Sequence, residues 1–304
     1  MSDSAEVPRT ASGPIPDGMR VIAARRSLRT QFRDVWRYRE LVGGLVAKEL
    51  KVRYKNSALG FLWSMAQPVF LLVVYTIVFS ILGAGFRNFA VWVMSGLIVW
   101  TLLGTTLTTA AQSVTGNSYL VSKVTFPRII LPLATLGSAM VHFALQLATL
   151  GVILLVFGYD IAWSQMWLVP LAIVVVAILC AALGSFLSVV NVYARDTQHL
   201  LDLLMIAWFW ATPIIYQYQR ATHWLSARSL PTWLPLLNPM TPVVTAFQRA
   251  VYGSTSVDGR DLLPDVGSWW YARNLGFVAV GALVLLAVSF RLFDRAEGNF
   301  AEVL

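Results

Sequence analysis

Charged residues are absent from six long stretches of this 304-residue chain, and this segregation constrains the fold more than any other feature. The uncharged stretches are 56–86, 88–122, 129–159, 161–194, 203–219 and 274–290. An α-helix rises about 1.5 Å per residue, so roughly 20 residues cross the hydrocarbon core of a bilayer. Backbone polar groups in lipid must be satisfied within their own segment, and the alternation typical of a β-barrel is missing. We therefore predict an all-α integral membrane protein with six transmembrane helices, at 58–82, 89–110, 129–157, 167–192, 200–218 and 273–293.

Composition excludes a soluble globular domain. Charged residues make up 12% of the chain, about half the roughly 25% that is usual for such domains. The net charge of +8 does not indicate nucleic acid binding, because 12 of the 23 Lys and Arg residues precede the first predicted span. The first 55 residues lack a cleavable signal, so we expect the first span to be retained. The single cysteine, Cys180, permits no intrachain disulfide.

The distribution of Lys and Arg predicts the orientation. With the N-terminus in the cytoplasm, 17 of the 23 basic residues lie on the cytoplasmic side and 6 on the outside. This is the positive-inside pattern of a bacterial inner-membrane protein with both termini in the cytoplasm.

Four further regions flank or interrupt the spans. Residues 1–30 read as a flexible cytoplasmic tail, and 31–56 as an amphipathic helix on the membrane surface, with a soluble helix packed on a partner domain as the alternative. The external segment 230–253 is apolar but broken by four prolines, which predicts re-entrant helices shielded by protein, or else an external cap. Residues 294–304 form a cytoplasmic C-terminal tail.

The spans carry almost no ionisable side chains. His142 is the one ionisable residue well inside a span, and it is either a proton relay or, as is more usual, a helix-packing residue. His199 and His223 lie near opposite faces, so no metal site is expected. None of the four lysines follows a glycine, so the chain has no P-loop for ATP. We expect no cofactor and no catalytic residue in this chain, and a separate polypeptide that binds ATP and Mg²⁺.

Aromatic side chains are the notable feature of the spans. Trp208, Phe209 and Trp210 stand near the middle of the predicted fifth span, away from the interfacial belt where aromatic residues usually lie. Aromatic faces pack against the C–H faces of sugars, so we predict that some of these aromatic residues line a glycan channel. The alternative is helix packing and lipid contact. The full set of channel candidates is Trp63, Tyr75, Trp208, Phe209, Trp210 and Tyr216.

Five blocks in order resemble one family. They are 45–68 (LVAKELKVRYKNSALGFLWSMAQP), 120–132 (LVSKVTFPRIILP), 195–216 (RDTQHLLDLLMIAWFWATPIIY), 238–249 (NPMTPVVTAFQR) and 293–303 (FDRAEGNFAEV). Together they resemble the permeases of type-2 ABC exporters for polysaccharides, the family of O-antigen, teichoic-acid, capsule and galactan exporters. The resemblance covers about residues 32–304.

The resemblance implies a homodimer that works with two copies of a separate ABC ATPase. The implied substrate is a glycan linked to a polyprenyl diphosphate lipid, moved outward through the membrane. The residues that would contact the ATPase or gate the entry are Lys48, Lys51, Lys123, Phe126, Pro127 and Arg128. Candidates for the diphosphate are Arg53 and Lys55, with Lys123 and Arg128, while membrane anchoring is the alternative role for each. Asn238 and Pro239 fall in the re-entrant region.

Two other classes remain open. A membrane enzyme acting on polyprenyl-linked sugars would use acidic groups, and Asp258, Asp261 and Asp265 lie in the large external loop. A permease for small molecules would share the architecture. Because 19 of the 23 basic residues are arginine, as GC-rich coding favours, we favour a galactan-type cell-wall glycan over an O-antigen-like one.

Overall fold

The computed structural model describes residues 28–55, 62–81, 86–124, 126–156, 158–159, 161–298 and 300. The helices are α1 (Leu28–Arg37), α2 (Arg39–Tyr54), α3 (Leu62–Ile81), α4 (Phe89–Gln112), α5 (Ser118–Lys123), α6 (Ile130–Val156), α7 (Leu168–Tyr193), α8 (Thr197–Ala211), α9 (Tyr218–Ser226), α10 (Met240–Val251) and α11 (Ser268–Glu297). Short 3-10 turns occupy Thr115–Asn117, Trp163–Gln165 and Leu234–Leu237. Two strands, β1 (Ser256–Val257) and β2 (Arg260–Asp261), form one antiparallel hairpin.

Four of the described helices are long and apolar enough to cross a membrane. They are α4, α6, α7 and α11, and they cover the predicted second, third, fourth and sixth spans. Their interiors are uncharged, as burial in lipid requires. The prediction of an all-α multi-pass membrane protein is therefore confirmed for these helices.

The predicted first and fifth spans correspond to shorter apolar helices, so the count of six stays a prediction. In α3 the apolar part runs only from Pro68 to Ile81. Helix α8 has 15 residues and ends at Ala211, seven residues before the predicted boundary. It ends there because Thr212 precedes Pro213, and a residue before proline is driven out of the helical region; Thr212 has ψ 131°.

Helix α4 is the centre of the bundle. It packs against α3, α6, α7, α8 and α10, and 16 of its 24 residues are buried. Threonine hydroxyls along it, such as those of Thr105 and Thr106, donate to carbonyls one turn earlier and so are satisfied without a polar partner. Helix α11 makes its main contact with α7 on the side of the bundle away from α3.

Hydrogen bonds define two opposite ends of the bundle. At one, Gln112 at the end of α4 bonds Gln198 in α8. We call this end, where α1 and α2 also lie, the N-terminal-helix end. At the other, the backbone N–H of Arg87 before α4 donates to Asp258 in the turn between β1 and β2, and we call it the hairpin end. The helices thus alternate in direction as the charge pattern predicts.

Three predicted boundaries need correction. The helix predicted for 31–56 begins at Leu28 and is divided at Tyr38, a turn residue with φ −92° and ψ 20°. The tail predicted from residue 294 is helical through Glu297, and Phe300 is buried against Phe293. The loop 217–273 contains α9, α10 and the hairpin, whose Asp258-Gly259 turn is a hairpin signal that we missed.

Gly184 is required where α7 crosses α4. A Cβ on Gly184 would lie 2.9 Å from the Cβ of Ala110, so the helices must separate to accept a side chain. We predict that Gly184→Val lowers stability by about 1–3 kcal/mol through overpacking. The measurement is the thermal unfolding midpoint of the detergent-purified protein. Gly151→Val in α6 is the matched control, because nothing lies within 4 Å of its Cβ position; equal midpoints would contradict the packing shown here.

Candidate coupling surface and transport path

Helix α2 is fastened to α6 at the N-terminal-helix end. Val46 approaches Gly137 so closely that a Cβ there would lie 2.7 Å from Cγ2 of the valine. One residue along α6, the Ser138 hydroxyl donates to Oε2 of Glu49 at 2.7 Å. The absence of a side chain at Gly137 allows α2 to approach α6, and the charge-assisted hydrogen bond fixes which face of α2 is turned toward α6.

The predicted coupling lysines lie around this contact. Lys48 Nζ donates to Oδ1 of Asn117 at 3.0 Å, which joins α2 to the 3-10 turn before α5. Lys51 and Lys55 on the first segment and Lys123 on the second are exposed. The structure thus brings the two predicted contact segments, 48–55 and 123–128, to the same end of the bundle. The side chain of Arg53 lies outside the described residues.

Arg128 has a structural role that the sequence did not indicate. Its guanidinium donates to the main-chain oxygens of Glu297 and of Val121, the second at 3.2 Å, and its backbone N–H donates to Oε1 of Glu297 at 3.0 Å. Pro127 beside it is buried, and Phe126 packs on the same apolar cluster. Arg128 therefore ties α5 and the start of α6 to the end of α11, and two of its nitrogens are engaged with protein. Contact with a diphosphate stays a prediction for it.

We predict that Arg128→Gln destabilises the protein whereas Lys123→Gln does not. Without Arg128, the main-chain oxygens of Glu297 and Val121 lose a charged donor. A hydrogen bond to a charged group contributes about 1.5–3 kcal/mol to the free energy of unfolding. Thermal unfolding of the two purified variants is the test. If the unfolding midpoint of Arg128→Gln equals that of Lys123→Gln, the Arg128 hydrogen bonds do not hold α11 to α5 and α6. That result would contradict this role, which we call the Arg128 clamp.

At the level of Trp100, near the middle of α4, Asn238 joins α8 to α10. Its Oδ1 accepts from Trp208 Nε1 at 2.7 Å and from the Met240 backbone N–H at 3.0 Å. Its Nδ2 donates to the Thr212 hydroxyl at 2.9 Å and to the Ala211 carbonyl at 3.2 Å. All four hydrogen-bonding positions of one amide are thus used, and Asn238 both begins α10 and closes the end of α8.

Helix α10 is an almost fully buried helix of 12 residues; only Arg249 is partly exposed. Side chains from α10 and from the segment after α8 approach α4 closely at Gly96. A Cβ on Gly96 would lie 3.1–3.3 Å from side-chain atoms of Ile214, Val244 and Gln248. Gln248 donates to the Ile214 carbonyl at 3.1 Å and so satisfies the irregular chain after α8. The predicted pair of re-entrant helices is thus one buried helix, preceded by Pro239 and the Leu234–Leu237 turn.

The three consecutive aromatic residues lie in the last turn of α8, because the helix ends at Ala211, and Trp208 and Phe209 lie at the depth of Trp100 in the middle of α4. Trp208 and Phe209 are half-buried against Trp100, with ring centroids 6.0 and 5.6 Å away. Only Trp210 of the three is exposed, by 62%. Trp63 on α3 is also exposed, while Tyr75 and Tyr216 are half-buried. The set therefore divides into packing residues and two tryptophans open to a partner, substrate or lipid.

His142 is buried within α6. The described residues of α3, α4, α6 and α7 contain no Asp, Glu, Lys or Arg, but a carboxylate reaches α6 from α2, where Glu49 accepts from Ser138, one turn before His142. Other polar contacts between helices are neutral, such as that between the Thr101 hydroxyl and Gln146 Oε1 at 3.0 Å. Such amide and hydroxyl pairs carry no periodic sequence signal, which is why we did not predict them.

Two of the three loop carboxylates accept hydrogen bonds. Asp258 accepts from the Arg87 backbone N–H at 3.0 Å, and Asp265 accepts from the Thr255 hydroxyl at 3.2 Å. Asp261 lies exposed in β2. Asp258 and Asp265 therefore have structural roles in positioning the external loop.

Four apolar helices long enough to cross a membrane define the class as a multi-pass membrane protein. The chain belongs to the ABC-2 type transporter family, whose pattern matches residues 40–252. It is 31% identical over 271 residues to the O-antigen export system permease protein RfbA of Myxococcus xanthus, covering 89% of this chain and 97% of that protein. A protein of the same name from Klebsiella pneumoniae is 26% identical over 266 residues, covering 87% and 95%. The predicted resemblance to type-2 ABC exporter permeases is confirmed.

We predict that Asn238→Ala lowers the thermal unfolding midpoint more than Trp208→Phe does. The first change removes four hydrogen bonds, and the second removes one while keeping a ring beside Trp100; one hydrogen bond contributes about 0.5–1.5 kcal/mol. The double variant should be little less stable than Asn238→Ala alone, because both changes remove the same hydrogen bond between Trp208 and Asn238. Fully additive effects in unfolding measurements would show that the two residues are not linked.

Proposed function

We propose that this chain is the transmembrane permease of an ATP-driven exporter that moves a glycan linked to a polyprenyl diphosphate lipid across the bacterial inner membrane. The observation that carries this proposal is the near full-length similarity to permeases named for O-antigen export, within a family of ABC-2 transporters. An O-antigen-like or galactan-type cell-wall glycan is the substrate class, and both termini lie in the cytoplasm.

Energy comes from a separate ATPase in this proposal. The uncharged interiors of α3, α4, α6 and α7 offer no path for ion coupling, and transport against a gradient then needs a source outside the bundle. The N-terminal-helix end suits such a partner. There, α2 and α5 carry exposed lysines. The Glu49–Ser138 and Lys48–Asn117 hydrogen bonds connect α2 to α6 and to the turn before α5, and Arg128 connects α5 and α6 to α11.

A dimer of this chain supplies the transport path in the proposal. Helix α8 presents a row of exposed apolar side chains, including Leu200, Leu203, Leu204 and Trp210, next to its buried contact with α4. Two copies that face each other across α3 and α8 enclose a path that Trp63 and Trp210 line, and tryptophan suits sugar rings. Lys51, Lys55 and Lys123, with Arg53, meet the diphosphate at the headgroup level, where cations bind phosphate strongly.

The test is co-expression of the chain with the ABC ATPase encoded beside it, followed by purification. We expect a two-plus-two complex whose ATP hydrolysis changes several-fold with a polyprenyl diphosphate-linked glycan and not with the free glycan. Lys51→Gln combined with Lys55→Gln should weaken this response, whereas Arg220→Gln at the opposite end of the bundle should not. A chain that purifies without an ATPase would contradict the proposal, and stimulation by small drugs alone would favour the small-molecule permease.

A further inference from the structure

An open groove of about 1160 Å³ lies at the hairpin end, between the last turns of α3, the start of α4 and the hairpin. Its wall is a continuous row of six aromatic rings. Successive centroids are 4.2–6.1 Å apart, in the order Tyr75, Phe79, Phe89, Phe86, Tyr252 and Tyr159. All six line the groove; Tyr75, Phe79 and Tyr159 are half-buried and partly open to it, whereas Phe86, Phe89 and Tyr252 are buried and support them.

The rim of the groove is polar and balanced in charge. Arg87, Asn88 and Asp258 are exposed along it, together with Ser254 and Ser256. One guanidinium, one amide, one carboxylate and two hydroxyls offer both donors and acceptors, while the formal charges of Arg87 and Asp258 cancel. Sugar rings present hydroxyls at their edges and C–H groups on their faces, so this combination of a polar rim and an aromatic wall matches them.

The rim is held in place before any ligand arrives. The Tyr252 hydroxyl donates to the Arg87 carbonyl at 2.5 Å, and the Tyr159 hydroxyl donates to the Tyr252 carbonyl at 3.0 Å. Burial raises the pKa of Tyr252, which keeps this hydroxyl protonated as a donor. The Asp258 carboxylate completes the framework through the Arg87 backbone N–H. Preorganised groups of this kind lose little entropy on binding.

Backbone conformation also marks this rim. Among the described residues, three other than glycine have positive φ, and two of them, Asn88 at 57° and Asp258 at 52°, line the groove. Asn and Asp adopt this conformation at a lower cost than other residues, and such positions concentrate at functional sites. The two left-handed residues place both side chains on the rim of one cavity.

We propose that this groove is a saccharide-binding subsite, in which the aromatic wall packs against the sugar rings and Asn88 and Asp258 bond their hydroxyls. The choice of a sugar rests on the glycan-export function proposed above, and the subsite lies where that glycan leaves the membrane. The neutral rim disfavours an anionic lipid headgroup, which would meet the Asp258 carboxylate beside Arg87. The subsite holds emerging sugar units and so opposes their return into the path.

The test measures binding of lipid-free hexasaccharides of galactose and of mannose to the full chain in phosphatidylcholine nanodiscs, by saturation-transfer NMR. Asn88→Gly removes the amide and keeps the left-handed backbone, and Asp258→Asn removes the charge with the same shape. Each should weaken sugar binding at least fivefold. Ser229→Gly is the matched control for the first, because Ser229 has φ 57° and lies outside the groove; Asp261→Asn is the control for the second.

Binding by the unchanged chain and both controls, with loss in both groove variants, is the expected result. The proposal is overturned if neither saccharide binds, or if the groove variants bind as the controls do. It is also overturned if native mass spectrometry of the chain from phosphatidylglycerol nanodiscs shows a retained lipid that Arg87→Gln loses. The assay uses no ATP. If the chain binds no sugar but the complex still responds to lipid-linked glycan in ATP hydrolysis, only the subsite is ruled out. If the chain binds sugar but the complex shows no such response, only the export function is ruled out.

Discussion

The close packing of α4 is the constraint on which the rest of the structure depends. Helices in lipid gain little from burying apolar surface, so they associate through tight van der Waals contact at small residues. Gly96 admits α10 and the chain around Ile214, and the Ala110–Gly184 contact admits α7. With α4 enclosed in this way, the irregular segment after α8 is largely buried in protein, and its Ile214 carbonyl accepts a hydrogen bond from Gln248. Only then can a short helix such as α10 be accommodated beside the spans.

Hydrogen bonds connect neighbouring segments at both ends of the bundle, and the function proposed above has the bundle driven from one of these ends. At the N-terminal-helix end, Glu49, Lys48 and Arg128 link α2, α5, α6 and α11, so a force on either lysine-bearing segment reaches two long helices. Near the middle of the bundle, beside Trp100, Asn238 links the end of α8 to the start of α10.

The sequence predicted the membrane class, the alternating direction of the helices and the bounds of α6 and α7 within one residue, because lipid burial imposes long uncharged runs. The predicted helix boundaries were wrong where a single residue ends or divides a helix. The sequence stays apolar through Thr212-Pro213, but α8 ends at Ala211. Likewise, the pattern of apolar residues gives no sign of the turn at Tyr38. The roles of Arg128 and Asn238 depend on partners 169 and 30 residues away, a distance at which spacing within a single chain carries no information. The Asp258-Gly259 hairpin turn was readable and was missed.

The most direct test of the account is transport by the purified complex in vesicles. The chain and its ATPase would be reconstituted with a polyprenyl diphosphate-linked glycan, and a glycosidase outside the vesicles would report the fraction of glycan on each face. We predict that ATP moves glycan from the ATPase-bearing face to the other, and that an ATPase variant unable to hydrolyse ATP abolishes the movement. Movement that proceeds without ATP hydrolysis, or that follows an imposed ion gradient, would contradict the conclusion that an uncharged bundle is driven from outside.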